Sequence, residues 1–146
     1  MTIINFDFYD KRILAFLQAD ARLSMAELSR RIKLSQPATT ERVRKLETLG
    51  VISGYHARVE AFAIGMGIRA LVRIGRSDYN KVKKQIEKTP EVRTAHNITG
   101  EDSWELEITV RDVAHLDVVI SKFCELGETS TSIVLNTLTR EAPLAP

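Results

Sequence analysis

The chain has 146 residues, of which 44% are apolar, and a formal net charge of +2, so it is long enough for one ordinary domain or two small ones with a packed core. No stretch approaches the roughly 18 consecutive apolar residues of a membrane-spanning helix, and the amino-terminal residues lack the basic and apolar regions of a signal peptide. The single cysteine, Cys124, excludes an internal disulfide and lies in an apolar helical pattern, so we expect a reduced, cytoplasmic protein in which this thiol is buried and inert.

Three helices are predicted in the first third of the chain. The first spans residues 7–19, whose apolar side would cover the two helices that follow. Ser24 suits the N-cap of the second helix, because Glu27 follows at the spacing of a capping box. Ser35 suits the N-cap of the third helix, and Gly50 suits its end because glycine tolerates the left-handed conformation.

The second and third helices have the layout of a DNA-binding helix-turn-helix, since they are short, they are joined by three or four residues, and the later of the two is basic. Six basic residues fall within 16 positions: Arg30, Arg31, Lys33, Arg42, Arg44 and Lys45. Residues 1–60 hold ten Lys and Arg against seven Asp and Glu, whereas residues 61–146 hold eleven against twelve. Positive charge is thus concentrated where attraction of phosphates requires it. An ordinary helical hairpin with a solvated charged face is the alternative.

The outer face of the third helix is predicted to contact DNA. With its apolar side inward, three residues near the helix start would reach base edges: Gln36, Thr40 and Arg44. Gln36 is suited to adenine and Arg44 to guanine. Phosphate contacts are predicted for four further residues, namely Arg31, Ser35, Arg42 and Lys45. For Arg42, an intramolecular ion pair is the alternative.

The apolar pattern changes after the third helix. Residues 51–59 form a short extended segment, predicted to be a strand or wing, and residues 60–67 form a connector. Six elements with a turn at residues 99–103 follow: strand 66–76, helix 78–88, strand 92–98, strand 104–110, helix 113–126 and strand 129–139. This order is the ferredoxin-like βαββαβ arrangement, with both helices on one face of the sheet.

The predicted fold class is therefore α+β, with two domains. A winged helix-turn-helix domain would span residues 6–59, with its turn motif at 25–44, and a ferredoxin-like domain would span residues 68–140. The tail, residues 141–146, is expected to be frayed.

The sheet face away from the helices is predicted to carry opposite charges. The first and third strands are central neighbours in this arrangement, so Arg69 and Arg73 would share that face with Glu105 and Glu107. Such mixed content suggests a surface that meets a partner subunit. Four independent solvated charges are the alternative.

An enzyme built on the ferredoxin-like sheet is a competing hypothesis. The histidines are scattered, at positions 56, 96 and 115, and no metal-ligand spacing occurs. Gly65 and Gly67 lack the third glycine of a dinucleotide-binding loop. Four acidic residues between 101 and 107 suit catalytic or metal-binding carboxylates, but solvated turn and sheet residues are the favoured interpretation. We therefore predict no enzymatic activity, no cofactor and no metal.

Several short motifs, in order, resemble the Lrp/AsnC (feast/famine) transcriptional regulators over nearly the whole chain. Residues 6–14 are similar to that family's opening Leu-Asp-x-x-Asp-x-x-Ile-Leu, and residues 20–24 to its Asp-Gly-Arg-Ile-Ser turn, with Ala21 in place of glycine. Further similarities cover the recognition helix at 41–47, the segment 50–55, the start of the effector loop at 99–100 and the final strand at 129–135.

The resemblance implies double-stranded DNA as partner, amino acids as effectors, and homodimers that assemble further, often to octamers. It implies an effector site near an interface between dimers, formed by Gly100, Glu101, Asp102, Ser103 and Trp104. Thr129 and Thr131 would close the site from a neighbouring chain.

The chemistry of these residues suits an amino acid. Acidic and hydroxyl groups would accept hydrogen bonds from its ammonium group, and the backbone near Gly100 would receive its carboxylate. Ser103 stands where many members have an acidic residue, which leaves the effector's identity open, and Trp104 also fits a core position. A DNA-packing oligomer without an effector is the third hypothesis.

Overall fold

The computed structural model describes residues 4–138 and 142–146. These residues form two compact units. The helical unit consists of residues 4–57 and 142–146, and the sheet unit consists of residues 58–138. Among the described residues, no helix combines the length and the apolar character needed to cross a membrane.

The helical unit contains the three predicted helices, α1 (Phe8–Ala19), α2 (Met25–Ile32) and α3 (Gln36–Thr48). Asp7 caps α1 in a reciprocal capping box, and Ser24 and Ser35 accept backbone N–H bonds at the starts of α2 and α3. Seven buried side chains from the three helices form one apolar core: Ile13, Leu14, Leu17, Leu28, Ile32, Val43 and Leu46. This packing orients α3, because its apolar stripe is held against the other two helices.

A left-handed residue makes the turn between α2 and α3. Lys33 has φ 58° and ψ 49°, and the next N–H, that of Leu34, donates to the Ser29 carbonyl at 3.0 Å. A non-glycine residue in this conformation costs roughly 1–2 kcal/mol, which the surrounding contacts must offset. Gly50 (φ 70°) adopts the predicted left-handed conformation after α3.

Residues 51–59 form neither a helix nor a strand, so the predicted extended segment is not part of a sheet here. The Tyr55 hydroxyl donates to Glu47 on α3 at 2.9 Å and ties the segment to that helix. Burial and the neighbouring Glu47 carboxylate raise the pKa of Tyr55 to about 12. A 3-10 helix, Phe62–Ile64, lies within the predicted connector.

The sheet unit confirms the predicted ferredoxin-like order. Its elements are β1 (Ile68–Gly75), α4 (Tyr79–Glu87), β2 (Val92–Asn97), β3 (Asp102–Val110), α5 (Val113–Cys124) and β4 (Glu128–Ile133). The antiparallel sheet has the order β2-β3-β1-β4, so β1 and β3 are central neighbours. β3 begins two residues earlier than predicted, and β4 ends at Ile133, although residue 139, the predicted end, lies outside the described residues.

The core of the sheet unit lies between the sheet and its two helices. Alternate side chains of β1 and β3 are buried with side chains of both helices, including Val72, Ile74, Leu106, Val82 and Phe123.

A close backbone approach fixes the junction between α5 and β4. A Cβ atom on Gly127 would lie 2.4 Å from the Gly75 carbonyl oxygen, so only glycine fits there without displacing β1.

Two expectations from the sequence were wrong, namely that Cys124 is buried and that the tail is frayed. Cys124 is exposed, because Phe123 occupies the inward position of the last turn of α5, and its Sγ lies 3.4 Å from the Thr129 hydroxyl. The tail is not frayed at Leu144, whose backbone N–H donates to the Gln18 side-chain oxygen at 2.8 Å while its carbonyl accepts from the Gln18 amide at 2.9 Å. No periodic pattern in the sequence indicates the exposure of Cys124 or the contact between Gln18 and Leu144.

Candidate nucleic-acid and effector sites

The outward face of α3 presents the predicted base-contacting residues together. Because Thr39, Val43 and Leu46 are buried, the opposite side of the helix faces solvent. Five residues line a shallow, open depression of about 390 Å³: Gln36, Pro37, Thr40, Glu41 and Arg44. Pro37 and Glu41 were not predicted to take part, although the helical spacing from Thr40 and Arg44 places them on the same face.

The start of α3 is suited to hold an anion. The Ser35 hydroxyl accepts from the Ala38 N–H at 3.4 Å, and the Thr40 hydroxyl donates to the Gln36 carbonyl at 3.0 Å. Oriented backbone N–H groups and the helix dipole favour negative charge at such a terminus. Thr40 keeps lone pairs for a further donor, so its side chain remains available on the exposed face.

The cations of this region differ in how they are partnered. Arg44 and Lys45 are exposed and form no ion pair with any residue that the structure describes. Arg31 instead donates to Glu27 at 2.9 Å and lies over the Phe16 ring at 5.7 Å. The hydrogen bond from Arg31 is the main cause that lowers the pKa of Glu27.

Arg42 is bound within the helical unit. Its Nη1 atom lies 2.7 Å from Asp7 and 2.8 Å from Asp10, and its guanidinium lies 5.3 Å from the centre of the Tyr9 ring. The pKa of Asp7 is lowered, first by the Asp10 backbone N–H and then by Arg42. This geometry matches the alternative of an intramolecular ion pair that ties α3 to the start of α1.

The open face of the sheet carries the predicted charge ladder. Arg73 lies opposite Glu105 with an Nε–Oε2 distance of 3.2 Å, and Arg69 lies 2.8 Å from Glu107. All four project away from the helices, since their strand neighbours are the buried residues of the core. Arg69 also donates to Thr137 at 3.0 Å, so the ladder extends toward the chain that follows β4.

The predicted effector residues form the hairpin between β2 and β3. Gly100 has a φ of 118°, Glu101 is exposed, and Asp102 and Ser103 are half-buried. The Ser103 carbonyl accepts the Asn97 side-chain amide at 2.7 Å, which holds the hairpin in shape. Glu101, Asp102 and Ser103 are therefore consecutive residues at the end of this turn and the start of β3.

Trp104 belongs to the core rather than to an exposed wall. It is 6% exposed, and its ring lies 5.1 Å from that of Tyr79, a contact that the sequence indicated only by placing both residues on apolar stripes. Its indole Nε1 and the Ser77 hydroxyl are buried without a hydrogen-bond partner among the described residues.

The two threonines lie across the same sheet. Ile74 of β1 pairs with Trp104 of β3 on one side and with Thr129 of β4 on the other. Trp104 and Thr129, two residues of the predicted site, therefore lie in the same cross-strand row of the sheet. Thr131 stands opposite Val72, two pairs further along. Within one chain, β1 therefore separates the hairpin from Thr129 and Thr131.

No group of three or more His, Cys, Asp or Glu side chains within the described part of the chain is arranged to hold a metal ion. Two of the four carboxylates considered for that role have other partners, since Glu105 and Glu107 are paired with arginines of β1.

Comparison with known families gives two matches in the order of the two units. Residues 6–47 match the AsnC-type helix-turn-helix domain, and residues 69–144 match the Lrp/AsnC ligand binding domain. Among curated proteins, the chain is 32% identical over 135 residues to the HTH-type transcriptional regulator LrpC of Bacillus subtilis, covering 91% of this chain and 94% of LrpC. It is 36% identical over 126 residues to the leucine-responsive regulatory protein of Rhizobium meliloti, covering 82% and 80%.

Solved structures give the same result. The structure of B. subtilis LrpC superposes with a TM-score of 0.88 at 31% identity, covering 94% of this chain and all of that one. The feast or famine regulatory protein from M. tuberculosis, complexed with L-methionine, superposes with a TM-score of 0.89 at 30% identity, covering 97% and 100%.

Proposed function

The chain belongs to the Lrp/AsnC family of transcriptional regulators, and we propose that it binds specific DNA sequences through α3 and responds to an amino acid through its sheet unit. The observation that carries the DNA proposal is the exposed face of α3, where Arg44 and Lys45 lack ion-pair partners among the described residues. We propose residues 6–59 as the bounds of the DNA-binding domain and residues 68–140 as those of the effector-binding domain.

Arg44 and Gln36 are proposed to contact base edges. Both project from the exposed side of α3, Gln36 at its start and Arg44 slightly more than two turns later, and helix-turn-helix proteins reach the major groove with this part of the helix. Arginine donates two hydrogen bonds to guanine, and glutamine pairs with adenine in the same way. Thr40 lies between them on the same face and is proposed as the third base contact.

Lys45 and Ser35 are proposed to contact phosphates, Lys45 as an unpaired charge and Ser35 from the start of α3. Arg31 is proposed as a shared cation, because it can turn from Glu27 to a phosphate at small cost on an exposed surface. Arg42 is assigned to the fold of the helical unit, since two carboxylates already neutralise it.

The open sheet face is proposed to bind a second copy of the chain. Glu105 and Glu107 are about two-thirds buried already, and the arginines that form ion pairs with them neutralise their charge. Packing a second sheet against this face would desolvate the ladder and strengthen its ion pairs, while an unpaired partner would be costly. A homodimer follows from this proposal, and further assembly to an octamer is proposed from the family resemblance alone.

An amino-acid effector is proposed to bind at the hairpin of Gly100, Glu101, Asp102 and Ser103, with L-methionine as the first candidate. A structural relative is described in complex with that amino acid. Because β1 separates the hairpin from Thr129 and Thr131 within one chain, those hydroxyls would reach the ligand from another copy. Trp104 would support the turn from the core rather than touch the ligand.

Substitutions on α3 test the DNA proposal. Arg44→Ala should cost about 1–3 kcal/mol of binding free energy and relax preference at one base position, whereas Lys45→Ala should weaken all sequences alike. Fluorescence anisotropy with an operator selected from a random library measures both, using thermal melts to verify folding. Unchanged operator affinity for Arg44→Ala would remove this face of α3 from DNA recognition.

Assembly size under an amino-acid panel tests the effector proposal. Light scattering should show a ligand-dependent change for the unmodified chain, since a ligand shifts an equilibrium by its differential affinity for the two assemblies. Gly100→Val should abolish the change. Gly65→Val is the matched control, because both glycines have positive φ and no atom within 4 Å of an added Cβ.

A response retained in Gly100→Val would exclude the hairpin from the site. No response of the unmodified chain to any amino acid would favour the effector-free, DNA-packing hypothesis.

A further inference from the structure

A stripe of unpaired lysines runs along α4, in the sheet unit. Lys81, Lys84 and Lys88 follow one another at spacings of three and four, which places them on one side of the helix and its last turn. Val82 is fully buried and Ile86 packs on the core, so the lysines occupy the opposite, solvent-facing side. All three are exposed, and none forms an ion pair with a described residue.

This concentration of charge is local. Residues 58–138 hold eleven Lys and Arg against twelve Asp and Glu, yet four of the eleven fall within 81–88. The one carboxylate of α4, that of Glu87, is not within ion-pair distance of any of them in the described structure. Like charges one turn apart repel, and the helix dipole favours a cation only at the C-terminal end of α4, where Lys84 and Lys88 lie. The stability of α4 therefore does not account for Lys81.

We propose that the stripe of Lys81, Lys84 and Lys88 binds the phosphate backbone of duplex DNA outside the segment that α3 contacts. The inference depends on the DNA-binding function proposed above. At 1.5 Å per residue the stripe is about 10 Å long, along which one DNA strand presents about three charges. Lysine suits this role, because a flexible point charge contacts phosphates without selecting a base sequence.

Duplex DNA fits the stripe better than an acidic protein surface does. Asn80 and Glu87 lie beside the three lysines on the outward side of α4. Val82 and Ile86 face the core, and the half-exposed ring of Tyr79 packs against Trp104. Protein interfaces place aromatic or apolar anchors at their centre and are depleted in lysine, whereas phosphate contacts need charge alone.

The test compares two DNA lengths under a salt titration. One duplex covers only the segment protected by the helix-turn-helix, and the other extends it on both sides with unrelated sequence. The variant Lys81→Gln/Lys84→Gln/Lys88→Gln removes the stripe. The triple Lys→Arg variant retains the charge, and Lys83→Gln removes a charge from the same helix off the stripe.

On the long duplex, removal of the stripe should reduce the slope of log K against log salt by about 2.7 for each protomer whose stripe contacts the DNA, at roughly 0.9 for each lost phosphate contact. The slope on the short duplex should not change, and the arginine and Lys83 variants should behave as the unmodified chain on both. Equal slopes for the unmodified chain and the triple glutamine variant on the long duplex would overturn the proposal.

An equal loss on both lengths would also overturn it, because the charges would then act through the general field of the protein. If the unmodified chain binds neither duplex, the DNA-binding function itself fails. If binding through α3 persists while the stripe variant has no effect, only the stripe proposal fails.

Discussion

Replacing Arg42 by methionine separates a structural from a DNA-contacting role. Methionine keeps most of the aliphatic stem, so the change removes mainly the charge and its hydrogen bonds. Arg42 lies 2.8 Å from Asp10, whose side chain is only 16% exposed. Losing an exposed ion pair costs about 0.2–1 kcal/mol, and leaving a partly buried polar group without a partner costs about 1–3 kcal/mol.

We therefore expect Arg42→Met to lower the free energy of unfolding by about 1–2 kcal/mol, equivalent to roughly 5–15 °C in Tm for a unit of this size. Urea unfolding followed by circular dichroism measures this loss. The salt dependence of DNA binding should keep its slope, because Arg42 is already neutralised by Asp7 and Asp10.

Lys45→Met is the matched control, one turn away on the exposed side of α3. It should leave stability within about 0.5 kcal/mol and reduce the salt slope by about 0.9. The opposite pattern, with Arg42→Met stable and its slope reduced by about 0.9, would refute the assignment of Arg42 to the fold.

Three further predictions concern the other contacts. The pKa of Asp7 is below its usual 3.8, so its contribution is present above that value and is lost as pH falls through the lowered pKa. Asp7→Asn should therefore reduce Tm at pH 7, and the two melting curves should converge in strong acid. Gly127→Ala should cost about 1–3 kcal/mol in urea unfolding, because its Cβ would lie 2.4 Å from a carbonyl oxygen, whereas Gly67→Ala, at 3.2 Å, should cost less. Arg73→Ala should weaken dimerisation in sedimentation equilibrium while Lys83→Ala does not, and equal effects would indicate independent solvated charges.

Most of the correctly predicted fold follows from patterns among residues that are close together in the sequence. Ser24, Ser35 and Gly50 act within one helical turn, so their roles at the helix ends follow from residue type and spacing. The alternation of apolar and charged residues in β1 and β3 follows equally from burial of one face of the sheet. It correctly predicted that Arg69 and Arg73 share the other face with the two glutamates of β3.

Contacts between distant residues could not be predicted in the same way. Arg42 and Arg44 carry the same charge on the same helix. Arg42 has carboxylate partners only because the start of α1 lies next to it in the folded structure. Cys124 lies in an apolar pattern, yet the helix rotation set by Phe123 leaves it exposed.

The two hydrogen bonds between the Gln18 side chain and the Leu144 backbone affect the order in which a nascent chain completes its two units. These partners are 126 residues apart, so at about 5–20 residues per second the ribosome releases the second roughly 6–25 s after the first. All four strands of the sheet unit, the last ending at Ile133, are synthesised before Leu144. The helical unit starts first, and it acquires the contact with Leu144 only after the sheet unit has emerged from the ribosome.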